Sequence, residues 1–212
     1  MKLDKNAMLL YAVTDRTWLG DRTLVDQVED TLKGGATFIQ LREKDLDFED
    51  FVKEARAIKK LTDAYGIPLV INDAVEVALA VDADGVHVGQ DDIDAGELRQ
   101  RIGDKIIGVS ADTVEQALKA EADGADYIGV GAIYSTATKT DAEVVAFETI
   151  VAICKAVSIP VVAIGGLNET NIHALKGTGV DGVALVSAIF SKKDIVTATQ
   201  RLRSLSEAMT RP

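Results

Sequence analysis

Eight short apolar runs alternate with eight longer stretches of helical spacing along the whole chain, and this alternation constrains the fold more than any other feature. The runs are Leu9–Val13, Phe38–Leu41, Pro68–Ile71, Gly85–Val88, Ile106–Val109, Tyr127–Val130, Pro160–Ile164 and Gly182–Val186, each four or five residues of strand-forming character. Between and after them Leu24–Lys33, Asp47–Tyr65, Val75–Val81, Ala95–Arg101, Val114–Asp123, Phe147–Val157, Glu169–Lys176 and Ile195–Met209 carry helical periodicity. Glycine-bearing punctuation such as Gly34-Gly35-Ala36 and Asp123-Gly124-Ala125-Asp126 ends helices just before the next strand. Strands that are apolar throughout are buried on both faces, as in a parallel sheet wrapped by helices. Eight units in 212 residues, about 26 each, predict an α/β chain folded as a single (β/α)8 TIM-barrel domain over residues 1–212. A doubly wound open sheet is the competing arrangement.

Composition narrows the partners. Lys plus Arg number 23 against 34 Asp plus Glu, a net charge of −11, which repels nucleic acid and anionic membrane surfaces. Even the apolar stretch from Ala142 to Val157 is interrupted by Glu148 and Lys155, so no membrane span is expected. A lone cysteine, Cys154, excludes an intrachain disulfide and suits a reducing compartment. With no cleavage pattern after Met1-Lys2-Leu3, the expected location is the cytoplasm. The sequence leaves a homo-oligomer open.

In a barrel of this kind the chemistry lies at the C-terminal ends of the strands. There the second run gives Gln40-Leu41-Arg42-Glu43-Lys44, where Gln40, Arg42 and Lys44 share one side at period two. Two cations facing inward call for an anion; salt bridges to Glu43, Asp45 or Asp47 at a solvated rim would equally explain them. The third and fourth runs end near Asn72-Asp73 and Asp91-Asp92. Asp73 and Asp92 suit Mg²⁺ with phosphate oxygens, or serve as helix caps. Ser110 follows the fifth run, and Ser135, Thr136, Thr138 and Lys139 follow the sixth as an anion cradle or a plain surface loop. Gly165-Gly166 and Ser187 fall where barrels bind phosphate, or where a turn demands positive φ. His87 reads as a pocket-wall or core histidine rather than a general base, His173 as a surface residue and Cys154 as packing. Trp18 either shields the site or is an exposed loop aromatic. There is no Walker A loop, dinucleotide fingerprint or Ser/His/Asp signature.

Taken in order, Tyr11-Ala12-Val13-Thr14-Asp15, Gln40-Leu41-Arg42-Glu43-Lys44, Ile71-Asn72-Asp73, Gly85–Asp92, Gly108-Val109-Ser110, Thr136-Ala137-Thr138-Lys139 and Ile164-Gly165-Gly166 make the whole chain resemble the thiamine-phosphate synthase family. The resemblance implies a Mg²⁺-dependent transfer of an aminopyrimidine-methyl group from its diphosphate to a thiazole phosphate, plain or carboxylated, through a pyrimidine cation. It implies that the segment Gln40-Leu41-Arg42-Glu43-Lys44, with Asn72, Ser110 and Lys139, holds the pyrimidine diphosphate, Arg42, Ser110 and Lys139 acting catalytically. Asp73 and Asp92 would hold one Mg²⁺ per subunit, and Thr136, Ala137, Thr138, Gly166, Val186 and Ser187 the thiazole phosphate. The alternatives are a thiazole tautomerase on the same barrel and a non-enzymatic thiazole-phosphate-binding protein. Ala132 and Ser135 stand where the family commonly has proline, and Asp112 where it has histidine.

Overall fold

The computed structural model describes residues 3–135 and 144–211. Eight parallel strands, β1 (Leu10–Val13), β2 (Phe38–Leu41), β3 (Leu69–Asn72), β4 (Gly85–Val88), β5 (Ile106–Ser110), β6 (Tyr127–Val130), β7 (Val161–Ile164) and β8 (Gly182–Leu185), pair in sequence order. β8 returns to pair with β1, which closes the barrel and sets aside the open sheet. Around it run α1 (Leu24–Lys33), α2 (Phe48–Tyr65), α3 (Val75–Ala80), α4 (Ala95–Ile102), α5 (Val114–Ala122), α6 (Phe147–Ala156), α7 (Ser187–Phe190) and α8 (Ile195–Thr210). Among the described residues no helix is long and apolar enough to cross a membrane.

The two strand faces separate into two cores, as the period of two requires. Leu10, Ala12, Ile39, Leu41, Ile71 and their counterparts pack outward against the helices. Tyr11, Val13, Phe38, Val70, Tyr127, Val162 and Ala184 fill the inside. Tyr11, Phe38 and Tyr127 meet edge to face with ring centroids 4.7 to 5.8 Å apart, forming an aromatic floor across the barrel.

A recurring acid pins the N-terminal end. Asp84, Asp126 and Asp181, the acids just before β4, β6 and β8, each accept from the backbone N–H of the first or second residue of the preceding strand. The distances are 2.8 Å from Leu69, 2.8 Å from Ile107 and 2.9 Å from Val161. Each aspartate's own N–H returns to the carbonyl of the same residue, at 2.7 to 2.9 Å. Thr37, before β2, does the same with Leu10 through its hydroxyl. Every even strand is thereby fixed in register against its odd neighbour, and the strand-start N–H groups find acceptors. Lys59, Arg99 and Lys5 add a cation to Asp84, Asp126 and Asp181 respectively.

One expected element is corrected. The stretch Glu169–Lys176 is not an α-helix but a loop holding a single 3-10 turn, Ile172–Leu175. Side chains there compete with helical bonding: Asn168 Oδ1 accepts from Thr170 N–H, and Asn171 Oδ1 from Asn168 N–H.

Candidate functional site

A cavity of about 310 Å³ opens above the aromatic floor at the C-terminal ends of the strands. Gln40, Arg42, Lys44, Asn72, Asp73, Ser110, Gly166, Val186 and Ser187 all line it. The sequence-predicted residues Thr136, Ala137, Thr138 and Lys139 lie outside the described residues. A recess of about 390 Å³ at the opposite end lies between Lys5, Asp181 and Arg211, but its cations are already met by Asp181 and Glu207.

β2 ends at Leu41, so Arg42 and Lys44 leave the strand and yet keep to the cavity side. Arg42 is anchored through its backbone N–H, which donates to Thr14 Oγ1 at 2.9 Å. Among the described residues neither cation forms an ion pair, so the expected alternative of rim salt bridges is not realised. Two of the predicted binding residues turn away. Leu41 is fully buried in the outer core, and Glu43 points behind the loop, because alternate residues face opposite sides. What either offers a ligand in the cavity is its backbone alone.

Glu43 is instead held by Arg16, a residue that sequence reasoning passed over. Arg16 Nε donates to Glu43 Oε2 at 2.7 Å and Nη2 to Glu54 Oε1 at 2.6 Å, tying the loop after β1 to the loop after β2 and to α2. The remaining oxygens, Glu43 Oε1 and Glu54 Oε2, are buried with no donor unless one of the two carboxyls holds a proton. Burial, and a shared hydrogen bond with the nearby Glu54 carboxylate, push Glu43 up to about 7 against the pull of Arg16.

Asp73 and Asp92 come together across the ends of β3 and β4. Neither caps a helix: α3 begins after Ala74 without a side-chain cap, and Asp94 caps α4. Asp73 holds a left-handed backbone, φ 59°, which a short polar side chain tolerates better than most. Its carboxyl is pushed up to about 6, first by loss of hydration and then by the charge and hydrogen bonding of Asp92; Asn72 and Arg42 oppose the rise. Asp92 Oδ2 also accepts from Gly89 N–H at 2.7 Å. A divalent cation fits such a pair, since hard carboxylate oxygens suit it and it would cancel their repulsion. Among the described residues no third His, Cys, Asp or Glu joins them, so water and ligand oxygens would complete the shell.

Gly165 and Gly166 have φ of 99° and 64°, and a Cβ at either would lie 2.7 Å or less from the loop after β6. Turn geometry therefore accounts for both, while Gly166 still faces the cavity. Asp112 lines the cavity as well. Trp18 neither shields the site nor stands free; it packs half-buried against the outer core. His173 is exposed, and Cys154 is a free, half-buried thiol.

His87 is buried inside the barrel, and burial holds its imidazole down to about 4, neutral at ordinary pH. Its Nδ1 meets Tyr127 Oη at 2.8 Å and its Nε2 meets Ser110 Oγ at 3.0 Å. Tyr127 Oη lies 2.7 Å from Tyr11 Oη, to which Gln40 Nε2 donates at 2.6 Å. The strand parity of Tyr11 and Tyr127 marks them as inward-facing, but nothing local in sequence pairs them.

A family model described as thiamine monophosphate synthase matches residues 10–189. The thiamine-phosphate synthase of Ruminiclostridium cellulolyticum is 53% identical over 194 residues, covering 91% of this chain and 92% of that protein. That of Clostridium tetani is 52% identical over 194 residues, covering 91% and 93%. The solved thiamine phosphate pyrophosphorylase of Pyrococcus furiosus superposes with a TM-score of 0.90 at 39% identity, over 97% of this chain and 98% of that one.

Proposed function

The chain belongs to the thiamine monophosphate synthase family, and from that premise we propose that its cavity joins an aminopyrimidine-methyl group, delivered as the diphosphate, to the ring nitrogen of a thiazole phosphate. The bond between the pyrimidine methylene carbon and the diphosphate oxygen breaks, pyrophosphate leaves, and the thiazole nitrogen supplies the electron pair for the new C–N bond. The observation that carries this reading is that Arg42 and Lys44, which form no ion pair among the described residues, line the same cavity as Asp73, whose carboxyl is opposed by that of the neighbouring Asp92.

Departing diphosphate gathers negative charge as the C–O bond opens. Fixed cations therefore stabilise the transition state more than the ground state. Arg42 and Lys44, with Lys139 from the sequence between β6 and α6, supply that charge. Mg²⁺ held by Asp73 and Asp92 would neutralise diphosphate oxygens and ease departure of the leaving group. Gln40, Asn72 and Ser110 offer neutral donors and acceptors that orient the pyrimidine ring. Thr136, Ala137, Thr138, Gly166, Val186 and Ser187 would hold the thiazole phosphate, in plain or carboxylated form, so that its nitrogen captures the pyrimidine cation as a positioned step. No protein nucleophile is required, in keeping with the engaged His87 and the absence of a catalytic triad. Phosphorylated small substrates and a free thiol suit the cytoplasm.

The test is an assay for thiamine phosphate from the two phosphorylated substrates, with Mg²⁺ and again with excess chelator. Metal-dependent product is expected. No product from folded protein under either condition would overturn the reading in favour of a thiazole tautomerase or a binding protein.

A further inference from the structure

Five polar side chains from five different strands form one unbroken hydrogen-bonded line beneath the cavity. It runs from Gln40 on β2 to Tyr11 on β1, Tyr127 on β6, His87 on β4 and Ser110 on β5, with links of 2.6, 2.7, 2.8 and 3.0 Å. Tyr11, Tyr127, His87 and Gln40 are buried. The line occupies space that glycine leaves open: a Cβ on Gly108 would lie 2.2 Å from Tyr127 Oη and 2.5 Å from His87 Nδ1, and one on Gly129 would lie 3.3 Å from His87 Cε1.

Burial raises both tyrosines and lowers His87, so every member is neutral across the ordinary pH range. Each hydroxyl then has one hydrogen to give and the imidazole has one N–H. Buried polar hydrogens find acceptors, and the acceptors within reach are the neighbours in the line. With Gln40 donating to Tyr11, Tyr11 donates to Tyr127 and Tyr127 to His87 Nδ1. The imidazole hydrogen is then on Nε2 and goes to Ser110 Oγ. That leaves Gln40 Oε1 as an acceptor and the Ser110 hydroxyl as a donor for a ligand in the cavity. Turning the Gln40 amide over reverses every link, and with it the character of both ends.

We propose that Tyr11, Tyr127 and His87 are positioning residues that couple the two ends of this line, so that the donor or acceptor character Gln40 shows the substrate's heterocycle dictates the opposite character at Ser110. An aminopyrimidine presents this pattern, with an amino donor for one end and a ring-nitrogen acceptor for the other. The inference deepens the proposed reading and rests on it for the identity of the ring.

The experiment is a cycle of dissociation constants for the aminopyrimidine-methyl diphosphate, measured by calorimetry with Mg²⁺ in the full chain. Gln40→Met, Ser110→Ala and the double variant are compared in the wild-type background and in Tyr127→Phe, which keeps the ring on the aromatic floor and removes only the link. In the wild-type background the double variant should bind about fivefold or more tighter than the product of the single losses predicts, because cutting one end already releases the other. In Tyr127→Phe that discrepancy should fall within about twofold, since coupling through the shared ligand is all that remains. Tyr11→Phe, cutting the line at another link, should give the same result, and KM for the thiazole phosphate should stay unchanged in both. Equal coupling in all backgrounds, or an equal rise in KM for both substrates, overturns the proposal. Wild-type protein that binds the diphosphate without making product defeats the function reading while leaving the cycle readable. Wild-type protein that does not bind it overturns both.

Discussion

At the N-terminal end of the barrel Asp84, Asp126 and Asp181 each accept a strand-start N–H and each face a cation, Lys59, Arg99 or Lys5. At the C-terminal end Arg42 and Lys44 form no ion pair among the described residues, and Asp73 and Asp92 oppose each other. The same residue types do opposite work at the two ends. Where charge is matched within the protein it fixes strand register, and nothing is left for a ligand. Where like charges are gathered on a cavity the fold gains little from them, and a diphosphate with its cation would complete the set.

Substitutions at the two ends should therefore separate activity from stability. Arg42→Ala is expected to lower kcat/KM for the pyrimidine diphosphate by about 10²–10³-fold, the scale for losing one donor aimed at developing charge. Its melting temperature should stay close to that of the wild type, because Arg42 has no ion-pair partner to abandon among the described residues. A variant that keeps its activity but melts early would break the comparison.

Asp73→Asn should raise the Mg²⁺ concentration needed for half-maximal rate by about tenfold, by analogy with other changes close to a bound metal. The protein should lose no stability, since the change removes one of two repelling charges and no helix cap. Unfolding of the variant would mean that the left-handed turn at Asp73 depends on the carboxylate, and the acid would then belong with the structural set at the other end.

Asp126→Ala should do the reverse. Losing the acceptor of Ile107 N–H and the partner of Arg99 is expected to cost about 2 kcal/mol, in the range for hydrogen bonds to charged groups. For a chain of this size that corresponds to a fall of roughly 4–8 °C in Tm, with kcat unchanged below the transition. Calorimetry and a steady-state assay on the same sample would decide it.

Much of this division is legible in sequence. The eight apolar runs give the barrel because each is short and apolar throughout, and the end of each run marks where a loop meets the cavity. Period two correctly assigns Gln40, Arg42 and Lys44 to one side even though β2 stops at Leu41. The same rule separates Leu41 and Glu43 from their neighbours, which reading Gln40–Lys44 as a single binding segment obscures. The line from Gln40 to Ser110 is not legible, because Tyr11 and Tyr127 lie 116 residues apart and meet only once closure of the sheet sets the register. Arg16, Glu43 and Glu54 are hidden for the same reason. The stretch Glu169–Lys176 misleads differently: Ile172 and Leu175 have helical spacing, but the side chains of Asn168 and Asn171 bond the local backbone and win.

Arg16 sharpens the comparison, because it is a paired cation at the C-terminal end, behind the cavity rather than in it. Its partner Glu43 titrates near 7 in the folded protein against 4.5 when free, so between those values the folded state holds a proton that the unfolded chain has released. Stability from this cluster is therefore fully present below about pH 4.5, declines as pH rises through the window, and is lost above about pH 7. Glu43→Gln keeps the neutral form at every pH and lacks that slope. Relative to the wild type, the variant's Tm should rise between pH 5 and pH 8, by about 2–4 °C, the scale of roughly 1 kcal/mol in a chain of this length. A constant difference across that range would mean that Glu43 is ionised throughout and that Arg16 forms ordinary ion pairs with it and with Glu54. The cluster would then match the N-terminal end in kind, and the contrast between the two ends would rest on the cavity residues alone.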